Sequence, residues 1–205
     1  EGHIPVPALS AKRALASGTT LDAFVQTGFR ATEIPGCGSF FSNSDFAAPG
    51  CNRAVLGVRT DAATLTTTGN FIKRAADVTP SGTTQVGLGL RQQVQALGEF
   101  GAYLAQYDSR MPYISGIKSN RTATPTTPFI PRDPGGLNPQ YFLSFPEAIQ
   151  VLGLTFDKKL AFGNVSAELT YRPNQPYQYN TVDMLSALTS PVAPTPLRAQ
   201  AAAGQ

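Results

Sequence analysis

Tryptophan is absent from this chain, and His3 is its single histidine. One imidazole near the start offers little for acid–base or nucleophilic catalysis. There is also no G-x-S-x-G elbow on which a serine nucleophile could be built. His3 is therefore read as structural. Two cysteines and one distant histidine make no four-ligand zinc set. The glycine-bearing stretches GLGLRQ and GCGSFF fail the phosphate-loop patterns. Asp157 and Glu168 could pair only by a spacing argument with nothing beside it. Neither an enzyme, a cofactor nor a metal is expected.

Charge is also scarce. Only 14% of residues are Asp, Glu, Lys or Arg, against about 25% in an ordinary soluble domain. The net charge is +3 and the pI near 9.0. The basic residues are scattered, with no aromatic–basic row, so nucleic acid is not an expected partner. No apolar run approaches the ~18 residues of a membrane-crossing helix. A membrane β-barrel would leave no such run, because its lipid-facing and lumen-facing residues alternate. No signal peptide is visible at Glu1, so a secreted protein would have to be a mature form or a fragment.

Glycine (19) and proline (17) are plentiful, a composition that suits strands joined by long loops. The clearest stretch is Thr84–Tyr113. Val86, Leu88 and Leu90 alternate with Gln85, Arg91 and Gln93, which predicts a strand with one apolar face. Gln95–Gly98 is a turn. Phe100, Ala102 and Leu104 then alternate with Glu99, Gly101, Tyr103, Ala105 and Tyr107 to about Asp108. Further strands are expected over about 6–15, 20–31, 149–156 and 163–172. In the second of these, Leu21, Ala23, Val25, Thr27 and Phe29 oppose Asp22, Phe24, Gln26, Gly28 and Arg30. A dry core would not accept that polar stripe unpaired; a solvated face or a wet lumen would.

Alternating strands also build soluble sandwiches, and the links decide between the two. They run short (17–19), long (32–82), short (95–98), long (109–148), short (157–162) and long (from 173). The long links read as irregular, with RAVLGVR a short strand or loop helix and Thr64–Thr68 a threonine run. A helix over Thr181–Leu188, capped by Asn180, follows the last strand. Such alternation puts every short turn at one end of an up-and-down sheet. Outer-membrane barrels have this asymmetry.

The expected fold class is thus all-β: an antiparallel up-and-down meander, part of a transmembrane outer-membrane β-barrel with long outer loops and short periplasmic turns. Residues 1–190 would be the partial barrel, and 191–205 a Pro/Ala-rich loop or disordered tail. Six strands do not close a transmembrane barrel, which needs at least about eight. The chain would then be a piece of a larger one.

The stretches EGHIPVPALSA, LDAFVQTGFRATEIPG, GSFFSNSDFAAPG, FGAYLAQYDSRMPYIS, YFLSFPEAIQVLGLTF and AELTYRPNQPYQYNTVDML resemble a large family of Gram-negative outer-membrane proteins. It is domain-of-unknown-function family thirteen-oh-two. Asp45 in FSNSDF, YDSRMPY and YRPNQP are the most specific matches. The resemblance implies a barrel related to fatty-acid-transporter-like channels for hydrophobic compounds, with this chain as a middle part. The cysteine pair around FFSNSDF is a departure from the family.

Asp22, Gln26, Arg30, Arg91, Glu99, Glu168 and Arg172 are the candidate lumen-lining residues. They could form a passage wall, or a ladder of cross-strand ion pairs that stiffens the barrel. Phe40, Phe41, Phe46, Tyr113 and Phe129 are candidate apolar contacts in the outer loops. Asp108 and Arg110 are either a gate at the rim or a rim salt bridge. Cys37 and Cys51 form a loop-stapling disulfide in an oxidising compartment, or remain two free thiols; the disulfide is the expectation. The sequons at Asn120-Arg121-Thr122 and Asn164-Val165-Ser166 are read as coincidental.

The function expected is passage of hydrophobic or amphipathic small molecules across the bacterial outer membrane. Partners would be outer-membrane lipid, a hydrophobic small molecule and the remaining strands of the same barrel. A structural or adhesive surface barrel is the alternative. A third is an outer-membrane esterase with its catalytic residues outside this segment.

Overall fold

The computed structural model describes residues 4–42, 45–58, 60–82, 84–121, 127–133 and 136–189. His3 and the 191–205 tail, for which a structural role and a loop were expected, lie outside them. In chain order the described residues form β1 (Ala8–Ala14), β2 (Thr19–Thr27), β3 (Arg53–Val55), α1 (Ala62–Thr68), β4 (Phe71–Arg74), β5 (Thr84–Val94), β6 (Gly98–Tyr107), β7 (Tyr113–Ile117), β8 (Gln140–Ser144), β9 (Ile149–Leu160), β10 (Gly163–Tyr171) and α2 (Thr181–Thr189). Strands dominate and nearly all pair antiparallel, so the chain is all-β.

The chain divides into two compact units. Unit 1 takes residues 1–32, 79–111 and 145–177. It holds one six-stranded sheet in the order β1-β2-β5-β6-β9-β10, with every neighbouring pair antiparallel. This is the expected meander, with all three short turns at one end. Among the described residues β1 and β10 do not pair with each other, so the sheet stays open.

Two boundaries differ from the sequence reading by several residues. β2 ends at Thr27, because Gly28 turns the chain with φ +105°. Phe29 and Arg30 therefore leave the strand, and Phe29 packs edge-on against Phe145 at 5.4 Å. β9 runs on to Leu160, through most of the short link expected over 157–162. Its charged residues are held by the β10 ladder opposite Ser166, Val165 and Asn164. The reversal is left to Ala161-Phe162 alone.

Unit 2 takes residues 33–78, 112–144 and 178–205. The long links are thus not irregular. They build a second sheet in the order β3-β4-β8-β7, parallel only between β4 and β8. The threonine run forms helix α1. Asp61 caps it by accepting the Thr64 N–H at 2.9 Å, and the hydroxyls of Thr66, Thr67 and Thr68 turn back onto carbonyls one turn earlier. Gly69, at φ +67°, closes the helix with its N–H on the Leu65 carbonyl. Helix α2 stands where it was expected, with the Asn180 side chain accepting the Val182 N–H at 2.9 Å. RAVLGVR contributes strand β3.

The core lies in unit 2. Ala54, Ile72 and Tyr141 are buried together, with Phe46, Leu56 and Leu185 packed against them. The sheet of unit 1 buries little.

Candidate functional site

The register of unit 1 sorts its side chains onto two faces. Cross-strand partners share a face. One face carries the rows Leu21–Leu90–Ala102–Leu154–Leu169 and Ala23–Leu88–Leu104–Leu152–Tyr171. The leucines of β5, β6, β9 and β10 in these rows are bare: Leu104 is 52% exposed, Leu152 50%, Leu154 52% and Leu169 69%.

The other face is polar. Asp22, Gln26, Arg91, Glu99 and Glu168 all fall on it. Arg91 donates to Asp22 Oδ2 at 2.7 Å. The Tyr103 hydroxyl donates to Glu168 Oε1 at 2.5 Å and lies 3.2 Å from Thr170 Oγ1. Glu99 stands opposite Asp157 across β6 and β9, and Asp157 accepts the Ser166 hydroxyl at 2.6 Å. Asp157 and Glu168 share this face but take different partners. Gln26 donates to the Gly28 carbonyl at 3.5 Å. Arg30 lies beyond β2. Arg172 follows β10 and donates to Gln175 at 3.4 Å.

Glycines shape the same face. A trough of about 430 Å³ runs over Gly87 and Gly89, walled by Phe24, Asp22 and Tyr103. The Phe24 ring takes the space above Gly87, and the Tyr103 ring the space above Gly153. Sequence reasoning put Tyr103 and Phe24 on the polar face but gave them no role. The signal was the alternation of glycine with Val86, Leu88 and Leu90 in VGLGLRQ, which leaves Gly87 and Gly89 on the polar face opposite Phe24 and Tyr103 of the flanking strands.

Asp108 and Arg110 turn to different groups. Asp108 accepts the Ala148 N–H at 2.9 Å, and its own N–H donates to Gln85 Oε1 at 3.2 Å. Arg110 donates to the Ile4 carbonyl at 3.4 Å. Nearby, Glu147 accepts the Ser81 N–H at 2.8 Å, and these hydrogen bonds hold its carboxyl below the usual range.

Unit 2 holds an apolar cavity of about 510 Å³. Phe46, Val55, Leu56, Ile114, Tyr141 and Leu185 form the apolar part of its wall, beside Asp45, Arg53, Thr60 and Thr181. The Tyr141 hydroxyl donates to the Phe46 carbonyl at 2.7 Å, and burial pushes its pKa up to about 12. Phe46 was expected as a loop contact and lines this cavity. Phe40 and Phe41 do not: they stand edge to face at 5.2 Å, 95% and 78% exposed. Their loop is closed by the disulfide Cys37–Cys51, as expected. Phe129 stacks on Phe71 at 4.5 Å. Tyr113 opens β7, opposite Ser144.

A six-stranded antiparallel meander with one apolar and one polar face, whose long links fold into a second unit, defines the class of this chain. The family model described as "Protein of unknown function (DUF1302)" matches residues 1–204, and the chain belongs to that family. No curated protein and no solved structure gives a significant match.

Proposed function

We propose that the sheet of unit 1 is a segment of a bacterial outer-membrane β-barrel that passes hydrophobic or amphipathic small molecules. The observation that carries this is the bare apolar face: Leu88, Leu90, Leu104, Leu152, Leu154 and Leu169 on one side, polar groups on the other. An apolar sheet face of this extent is unfavourable in water and at home against lipid. The lengths of β2, β5, β6, β9 and β10, 9 to 12 residues, suit a tilted crossing. The free edges of β1 and β10 would pair with further strands of the same barrel. The hairpin turns would lie on the periplasmic side, and unit 2 would belong to the outer loops.

In this reading Asp22, Arg91, Tyr103 and Glu168 line the lumen, and the glycine trough widens it locally. Phe40 and Phe41 would offer an apolar landing site to arriving substrate. The bonding of the polar face into pairs favours a second reading, a structural surface barrel stiffened by those ladders.

The lack of native tryptophan provides a clean test. L104W and T155W place a single indole on opposite faces of the sheet. In vesicles of brominated lipid, L104W fluorescence should be quenched strongly and T155W weakly. Equal quenching would overturn the membrane assignment. Passage is tested by F40S/F41S/Y113S, which should slow uptake of an apolar substrate and preserve heat-modifiable gel mobility. Unchanged uptake with normal assembly would shift the weight to the structural barrel.

A further inference from the structure

The small sheet of unit 2 carries an electrostatic conflict. The β3–β4 register sets Arg53 directly opposite Lys73, and Val55 opposite Phe71. Like charges so placed repel. Among the described residues neither cation has an acid within ion-pair distance. Asp77 pairs instead with Arg74 at 2.7 Å and Asp133 with Arg121 at 3.1 Å.

What holds the two cations is aromatic. Arg53 lies over the Phe71 ring at 5.2 Å and Lys73 over the Phe129 ring at 4.7 Å. The rings stack on each other at 4.5 Å. Cation–π contacts fix position without neutralising charge. Arg53 Nε donates to Asn52 at 3.2 Å. Its terminal N–H groups have no protein acceptor among the described residues. Arg74 is different, since its donors are spent on Asp77 and on the carbonyls of Ala47, Ala48 and Cys51. Between Arg53 and Lys73 opens a cleft of about 380 Å³, floored by the stacked rings and bordered by Asn52 and Thr66.

We propose that this cleft binds a phosphate group, held between Arg53 and Lys73. Two uncompensated positive charges match a phosphomonoester, which carries about −1.5 to −2 at neutral pH; a carboxylate would offset only one. The guanidinium supplies a planar fork for two oxygens and the ammonium a point charge for the third. The same chemistry serves free phosphate and a phosphorylated lipid headgroup. This site does not rest on the barrel assignment of unit 1.

The test uses the whole chain folded in detergent, in phosphate-free buffer, with calorimetric titration. The probes are inorganic phosphate, a short-chain phosphatidate below its micellar concentration, and benzoate. One phosphate group should bind saturably per chain, with benzoate at least tenfold weaker. R53M and K73M should each weaken phosphate binding tenfold or more, and K73R should stay within threefold of the parent. Added phosphate should raise the unfolding midpoint of the parent but not of R53M/K73M. Tighter binding of phosphatidate would assign the lipid headgroup, and equal binding free phosphate. No saturable binding of either phosphate probe would overturn the proposal. So would affinity that R53M and K73M leave unchanged in chains with an intact Cys37–Cys51 disulfide.

Discussion

Tyr103 lies across Gly153. The register pairs the two residues directly between β6 and β9, and the phenol ring occupies the space that a Cβ at position 153 would need. From there its hydroxyl reaches over β9 to Glu168 and Thr170 on β10. One ring thus ties three strands together on the polar face, and it can do so only because the residue beneath it has no side chain.

G153A should displace that ring and destabilise the chain by about 1–3 kcal/mol, the usual cost of forcing atoms into a filled space. Y103F keeps the ring and loses only the hydroxyl bonds, so it should cost less. Unfolding midpoints in urea, with both variants folded into the same vesicles, rank the two. A G153A midpoint equal to the parent's would mean that the ring's placement contributes nothing.

The strands of unit 1 were legible because each carries its own period-two pattern. Val86-Gly87-Leu88-Gly89-Leu90 states its faces without help from any other segment. Unit 2 was not legible, for a physical reason. β3 has three residues and β4 four, too short for a period, and β4 pairs in parallel with a strand distant in sequence. Threonine has modest helix propensity, so α1 depends on the Asp61 cap and the back-bonded hydroxyls more than on composition. The polar face could be assigned residue by residue, but the Tyr103–Glu168 link joins strands that are not neighbours. The Arg53–Lys73 opposition required the β3–β4 register.

A buried ion pair anchors the loop before β8. Arg121 and Asp133 meet at 3.1 Å with side chains 9% and 7% exposed. Arg121 also donates to the Pro128 carbonyl at 2.9 Å and to Asn138. Removing one partner leaves the other charge buried without compensation, typically at a cost of about 3–5 kcal/mol. D133A should therefore lower the unfolding midpoint more than the double variant R121M/D133A does. The reverse order would mean that the pair is solvated.

Free-thiol titration of unreduced protein should find no thiol, since Cys37 and Cys51 are bonded. Their separation of 14 residues corresponds to about 3 kcal/mol of chain-entropy stabilisation. C37S/C51S should lose up to that amount, with protease cleavage rising in the Phe40–Phe41 loop. An unchanged cleavage rate would show that the loop is held by its own packing.

Acid should loosen two clasps. Hydrogen bonds from Ser81 hold the Glu147 carboxyl below its ordinary value of 4.5, and bonds from Thr64 hold Asp61 below 3.8. A depressed carboxyl contributes stability that is complete above its unfolded pKa and is lost as pH falls through the folded one. The protection of the Ser81 and Thr64 amides, taken relative to intrinsic exchange at each pH, should fall as pH drops below about 4.5 and 3.8 respectively. E147Q should remove the pH dependence at Ser81 and leave that at Thr64. If Ser81 still responds in E147Q, the clasp is not its cause.

Tyr141 makes the opposite prediction at high pH. Its side chain is almost wholly buried beside Ile72 and Ala54, and its hydroxyl gives its proton to the Phe46 carbonyl at 2.7 Å. Ionisation would place a phenolate against a carbonyl oxygen in an apolar setting, so burial pushes the group up from 10.0 to about 12. Between those values the unfolded chain releases a proton that the folded chain keeps. Stability is therefore complete below about pH 10 and falls as pH rises toward 12. Of the seven tyrosines, Tyr141 should be among the last to show tyrosinate absorbance. Y141F should flatten part of the alkaline loss of stability. At neutral pH it should cost about 1–3 kcal/mol, because the Phe46 carbonyl loses its donor inside the fold. A Y141F chain as stable as the parent at pH 7, with the same alkaline profile, would mean that water already reaches the Phe46 carbonyl and that this end of the unit 2 cavity is wet.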